Sequence, residues 1–158
     1  MRLTTYSDYS IRVLIYLASH QNDKLVNIKE IAEAYDISKN HLMKIIYNLG
    51  KMGYIQTVRG RNGGFKLAKV PADINIGEIV RKTEEDFYLV ECFDHNNKCV
   101  ITPVCSLKHI LNHALESFLK VLDQYTLEDI VENKAMLKEY FARKAEEGQD
   151  EVHDQRLP

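Results

Sequence analysis

Apolar residues recur at helical spacing from about residue 6 to residue 20, where Ser10, Val13, Leu14, Leu17 and Ala18 form a stripe that Ile11 and Ile15 widen. Thr5 followed by Asp8 predicts a capping box at the start of this helix. Residues 20–26 are polar and predict a loop. Asn27 and Glu30 mark a second helix start, and Ile31, Ala32 and Tyr35 share one face of a short helix over 28–35. After Asp36 the pattern restarts. Ser38 suits an N-cap, and Leu42, Ile45, Ile46, Leu49 and Met52 repeat at three- and four-residue steps. The opposite face carries Lys39, Asn40, Met43, Lys44, Tyr47 and Lys51. Two short helices parted by Asp36 and Ile37 read as a helix-turn-helix. Gly53 stops the second helix, residues 54–58 are strand-prone, and residues 65–68 alternate as a returning strand should. Asn62-Gly63 predicts a tight turn between the strands, because both residue types tolerate positive φ. The whole predicts a winged helix.

Pro71 marks a boundary, and residues 74–83 predict another helix. Residues 84–104 are irregular. From 105 to 125 the helical pattern returns, with Leu107, Ile110, Leu111, Ala114, Phe118, Val121, Leu122 and Tyr125 in one stripe. At ~1.5 Å per residue that stripe is about 27 Å long. A helix of that length on a small domain needs a partner, either a second copy or the domain's own body. Thr126 and Asp129 cap a further helix through Asn133, an amphipathic stretch follows over 136–141, and the polar end predicts a flexible tail. The expected organisation is a winged helix-turn-helix domain (1–83), a cysteine-bearing loop (84–104), a dimerisation helix with C-terminal helices (105–141) and a tail (142–158). The fold class is mainly α with a small β-hairpin wing.

Composition changes this picture little. The 158 residues, 45% apolar and 28% charged, suit one globular domain. The longest apolar run is the six residues from Val13 to Ala18, far short of the roughly 20 that a membrane span needs. The start, MRLTTYSDYS, lacks the features of a secretory signal, so a cytoplasmic protein with reduced thiols and no membrane contact is expected. Charge changes more. Residues 1–70 carry 11 Lys and Arg against 5 Asp and Glu, whereas residues 71–158 carry 10 against 18. Between Ile37 and Val70 stand seven basic residues and no acid, a face suited to phosphates, although a solvated surface fits the charge equally well.

The major groove of DNA admits one α-helix, whose first turn meets base edges. Here that turn offers Ser38, Lys39, Asn40, His41 and Lys44. Asn40 can pair with adenine through two hydrogen bonds, His41 can donate to purine acceptors, and Met43 can touch a thymine methyl. Lys39 and Lys44 suit phosphates. Arg59 and Arg61, with Asn62 beside them, suit an adjacent narrow minor groove. The competing reading is a winged helix that binds protein.

The three cysteines are spaced Cys92-x6-Cys99-x5-Cys105 around a polar run, Asp94 to Lys98. Three thiols on an exposed loop suit an iron–sulfur cluster or another soft metal. The paired CxxC spacing of structural zinc is missing. Reversible thiol oxidation needs only two cysteines, and three buried small hydrophobes remain the structural reading. Cys105 and His109 can meet on one helix, but nothing supplies a second catalytic group, so no enzyme is expected.

Four segments carry a resemblance: RLTTYSDYSIRVLIYLA, SKNHLMKIIYNLGKMGYIQTVRGRNGG, INIGEIVR, and ECF followed by a cysteine and PVCSLKHIL. They resemble the nitric-oxide-sensing repressors of the bacterial winged-helix regulator family that also contains the iron–sulfur regulator IscR. The likeness covers roughly residues 1–140. It implies a homodimer that binds an A·T-rich inverted repeat in double-stranded DNA and represses genes of nitric-oxide detoxification. It implies that Cys92, Cys99 and Cys105 hold an iron–sulfur cluster, 4Fe-4S rather than 2Fe-2S, and that nitric oxide, attacking it, releases the DNA. IscR-like members have a histidine where this chain has Lys108, and His109 lies one place out of register. The nitric-oxide-sensing branch implies instead that Asp8 of the other subunit is the fourth ligand, with helix capping as its alternative role. Arg12, one turn after Asp8, is spaced to pair with it when no cluster is present. The alternative function is a metal-free regulator switched by thiol oxidation or by a partner protein.

Overall fold

The computed structural model describes residues 2–20 and 24–154. Helix α1 spans Thr5–Ser19 and buries Val13, Leu14, Leu17 and Ala18. Its cap is Thr4, not Thr5: the Ser7 amide donates to Thr4 Oγ1 at 3.2 Å, and Asp8 takes no part in capping. The overlapping Thr4-x-x-Ser7 and Thr5-x-x-Asp8 pairs compete, and Thr4 wins because Glu84 also anchors it, accepting from its amide and hydroxyl at 2.8 and 3.0 Å. Helix α2, Ile28–Tyr35, starts at the expected Asn27–Glu30 capping box and ends at Asp36, whose φ of 52° turns the chain. Helix α3, Lys39–Lys51, starts at Ser38 and buries Leu42, Ile45, Ile46 and Leu49 against α1.

Strands β1 (Ile55–Val58) and β2 (Gly64–Leu67) pair antiparallel, Ile55 opposite Leu67 and Val58 opposite Gly64. The connection is longer than the expected Asn62-Gly63 turn. Gly60 is the positive-φ residue (121°), and Gly63 N–H donates to Gly60 O at 3.0 Å, which puts Arg61 and Asn62 at the centre of the closing turn. A side chain at Gly63 would meet Val58 O at 2.3 Å, so this glycine serves close approach of the backbone rather than positive φ.

Beyond a 3-10 turn at Pro71–Asp73, helix α4 (Ile76–Thr83) is capped by Asn75 and buries Ile79 and Val80. Helix α5 spans Ser106–Leu122. Helix α6 keeps the Thr126–Asp129 capping box but covers only Leu127–Ile130, with Leu127 and Val131 wholly buried. Helix α7 runs Lys134–Asp154, so the segment expected to be a flexible tail from residue 142 is helical to Asp154, and residues 155–158 lie outside the described residues. No helix of the described residues is long and apolar enough to cross a membrane.

Helix α7 packs on α1 and α2 through Phe141, whose ring lies 4.8 Å from Tyr16 and 5.2 Å from Tyr35. Burial pushes the Tyr16 phenol up to about 12, with the Glu30 and Glu33 carboxylates adding to the shift, and raises Tyr35 as well. Both phenols stay neutral to higher pH in the folded state than in the unfolded chain. Their contribution is therefore whole below the ordinary value of 10.0 and fades as pH climbs through the raised values. Phe141→Ala is expected to cost about 2 kcal/mol, because the half-buried ring carries less than a full core phenylalanine. Tyrosinate absorbance across an alkaline titration checks this: the last-titrating phenols move down toward ordinary values in the variant.

Candidate nucleic-acid interface and cysteine loop

The exposed face of α3 follows from what its other face buries. Leu42, Ile45, Ile46 and Leu49 turn inward, so Lys39, Asn40, His41, Met43 and Lys44 are left exposed. The Ser38 hydroxyl accepts from His41 N–H at 3.4 Å, and no acid stands in the first turn to offset the positive N-terminal end. That end suits a phosphate. Tyr47, 66% exposed on the same face with Lys51 Nζ 5.6 Å from its ring centroid, joins this surface. The helical spacing had placed it on the outer face, but an aromatic residue there does not by itself separate contact from packing.

The wing is held by two backbone bonds. Val26 N–H donates to Phe65 O at 3.0 Å, and Phe65 N–H donates to Val26 O at 2.7 Å. Gly64 permits this approach, since a Cβ there would lie 2.6 Å from Val26 O. Arg59, Arg61 and Asn62 are exposed in the loop so presented, and β1 packs against α3. Neither arginine makes an ion pair among the described residues.

The cysteine loop has only two short 3-10 turns, Glu91–Phe93 and Thr102–Val104. It is tied by local bonds. Asp94 Oδ1 accepts from Asn96 N–H at 2.9 Å, Glu91 Oε1 from Lys98 N–H at 2.9 Å, and Asn97 Oδ1 from the Thr102 hydroxyl at 2.8 Å. Cys92, Cys99 and Cys105 are free thiols, each half-buried. Cys105 stands at the N-cap of α5 and makes no capping bond, so its sulfur is uncommitted. Among the described residues, no three His, Cys, Asp or Glu side chains are grouped closely enough to hold a metal ion. The donor set suits a thiophilic cluster by type, number and access, although the described residues of one chain do not gather it into a cage.

Asp8, freed from capping, lies half-buried on α1 and accepts from Arg12, Nε to Oδ1 at 3.0 Å and Nη2 to Oδ2 at 2.9 Å. The pair expected from their spacing is formed. The Arg12 guanidinium also lies 5.7 Å from the Tyr35 ring centroid and 5.8 Å from that of Tyr9. Lys108 is half-buried and His109 exposed. Along α5, Leu107, Ile110 and Val121 are exposed at 57%, 63% and 52%, and Val104 just before it at 83%. An apolar row this open is unusual on a single chain.

Known proteins place these features. The sequence model of the family described as "Rrf2: Iron-dependent Transcriptional regulator" matches residues 3–133. The chain is 64% identical over 135 residues to the HTH-type transcriptional regulator NsrR of Bacillus subtilis, covering 85% of this chain and 92% of that one. Among solved structures it is similar to T. potens IscR, with a TM-score of 0.68, 28% identity and coverage of 84% of this chain and 88% of that one. It is also similar to the oxidized form of Staphylococcus aureus CymR, with a TM-score of 0.65, 26% identity and coverage of 81% and 94%. The family and the NsrR relative are named as transcriptional regulators, not enzymes, and the solved structures share the winged-helix architecture. The chain belongs to the Rrf2 family of transcriptional regulators.

Proposed function

We propose that this regulator is a cytoplasmic homodimer that represses transcription from an A·T-rich inverted repeat and senses nitric oxide through an iron–sulfur cluster, 4Fe-4S rather than 2Fe-2S. The observation that carries the reading is the set of three free, accessible thiols on one irregular segment leading into α5, in a chain of a family described as iron-dependent. Lys39, Asn40, His41, Met43 and Lys44 enter the major groove, oriented by the Ser38 cap. Arg59, Arg61 and Asn62 reach the adjacent minor groove. Cys92, Cys99 and Cys105 are the thiolate donors, and the partner subunit's Asp8 is the fourth. The open apolar row of α5 supports pairing of two copies, and pairing would let the donor set be completed from both chains.

Cys92, Cys99 and Cys105 would hold the iron–sulfur cluster, which would supply irons reactive toward nitric oxide. Asp8, while it serves as a donor, ties α1 to the cysteine loop of the other copy. Once released, it returns to Arg12, whose guanidinium is already within reach beside Tyr35. The tie between the two winged domains is then gone, and two recognition helices no longer held at one spacing bind the repeat less well.

Anaerobic reconstitution with iron and sulfide tests this. Wild-type protein is expected to bind about four irons per chain with visible absorbance, and Cys99→Ala to lose at least about tenfold of that iron. Colourless wild-type protein would refute the cluster. A second reading, a metal-free thiol switch, draws support from the likeness to the oxidized form of CymR. It requires DNA binding by metal-free protein that responds to peroxide.

A further inference from the structure

The two ends of α5 are held very differently. At its foot, Asp123 receives Arg81 of α4 in a two-pronged ion pair, Nη1 to Oδ1 at 2.5 Å and Nη2 to Oδ2 at 2.7 Å. Asn75 Nδ2 donates to Asp123 O at 2.7 Å and to Tyr125 O at 3.3 Å. Ile76 N–H donates to Tyr125 O at 3.0 Å, and Leu127 N–H donates to Ile74 O at 2.8 Å. Gly77 lies under the ion pair, where a Cβ would sit 2.0 Å from Asp123 Oδ1. The head of α5 has none of this: Cys105 makes no cap, and Val104, Leu107 and Ile110 stand open.

We propose that Gly77, Arg81 and Asp123 form a joint that determines which half-site spacing the regulator accepts on DNA. They are positioning residues. The inference rests on the reading that two copies pair along α5. Pairing sets the axis of the dimer, and the joint sets how each winged domain stands on that axis. The backbone bonds at 74–76 and 125–127 run along one short edge, with Leu127 and Val131 wholly buried beside them. The two-pronged pair adds to that packing a directional attachment with a fixed plane, which stiffens the joint against small rotations of α5. A stiff joint gives the second domain a high effective concentration at one half-site separation and a low one at others.

Gly77→Ala is the sharpest probe. The nearest atoms to the added methyl are the side-chain ends of Asp123 and Arg81, so the ion pair is displaced, while alanine favours the helix over glycine. Thermal stability is expected to hold or rise. Asp123→Ala breaks the same joint by another route. The ligands are a duplex with two half-sites, recovered by in vitro selection with wild-type protein, its versions with the spacer changed by a base pair either way, and one with a single half-site scrambled. Wild type is expected to favour the selected spacer. Both variants are expected to lose about tenfold on the two-site duplex, to treat all spacers within about threefold, and to bind the single half-site as wild type does. Variants that keep the wild-type spacer profile, or that lose single-site binding in parallel, overturn the joint. Wild type that binds two sites no better than one overturns the pairing of copies, and the joint with it.

Discussion

Arg59→Ala combined with Arg61→Ala lowers affinity for the selected duplex by about 100-fold at physiological salt and leaves the fold intact. Each arginine that meets a base edge or phosphate is worth about 1–3 kcal/mol, and each phosphate neutralised contributes about 0.9 to the slope of log affinity against log salt. The slope is therefore expected to fall by about two when both are removed. Stability should change by no more than about 0.5 kcal/mol, since both side chains are exposed and unpaired among the described residues. Fluorescence anisotropy over a salt series measures both quantities. A loss confined to A·T-rich flanks would mark reading of the narrow minor groove, and an equal loss on all sequences would mark phosphate contact. An unchanged slope would remove the wing from the interface.

Gly64→Ala is expected to cost about 2–4 kcal/mol of stability, because the new methyl has nowhere to go. It would lie 2.6 Å from Val26 O and 3.1 Å from Leu25 Cβ, and the first of these is backbone. The strand must draw away, which breaks the exchange of bonds between Val26 and Phe65 that seats the wing. Gly50→Ala is the control. A Cβ there meets Ile55 O at 3.7 Å, an ordinary contact, and within α3 alanine gains about 0.5–1 kcal/mol over glycine. Denaturant unfolding of the two variants should move in opposite directions. Equal small shifts would show that the wing is not locked at Val26.

Local rules make much of this molecule readable from its sequence. The caps at Asn27, Ser38 and Thr126, and the buried face of α3, follow from residue type and spacing alone. Where two local signals overlapped, a distant residue decided between them, as Glu84 did for Thr4 over Thr5. The wing turn was placed too late because asparagine-glycine is a strong short-turn signal, whereas the five-residue loop puts its positive φ at Gly60. The extent of α7 is hidden in the sequence because its later residues are polar, whereas Leu137 and Phe141 pack against the core and set where the helix lies. The ion pair of Arg81 and Asp123 joins residues far apart in sequence, and no periodicity points to it. The cysteines are donor candidates by type and spacing. Spacing alone does not say whether they converge, and among the described residues no three His, Cys, Asp or Glu side chains are grouped closely enough to hold a metal ion.

The most direct test follows one sample through two measurements: visible absorbance of anaerobically reconstituted protein, and its affinity for the selected duplex, as nitric oxide is added in steps. The proposed function predicts that both fall together, affinity by about 5- to 150-fold. Protein that bleaches fully yet holds the duplex as tightly as before would contradict it.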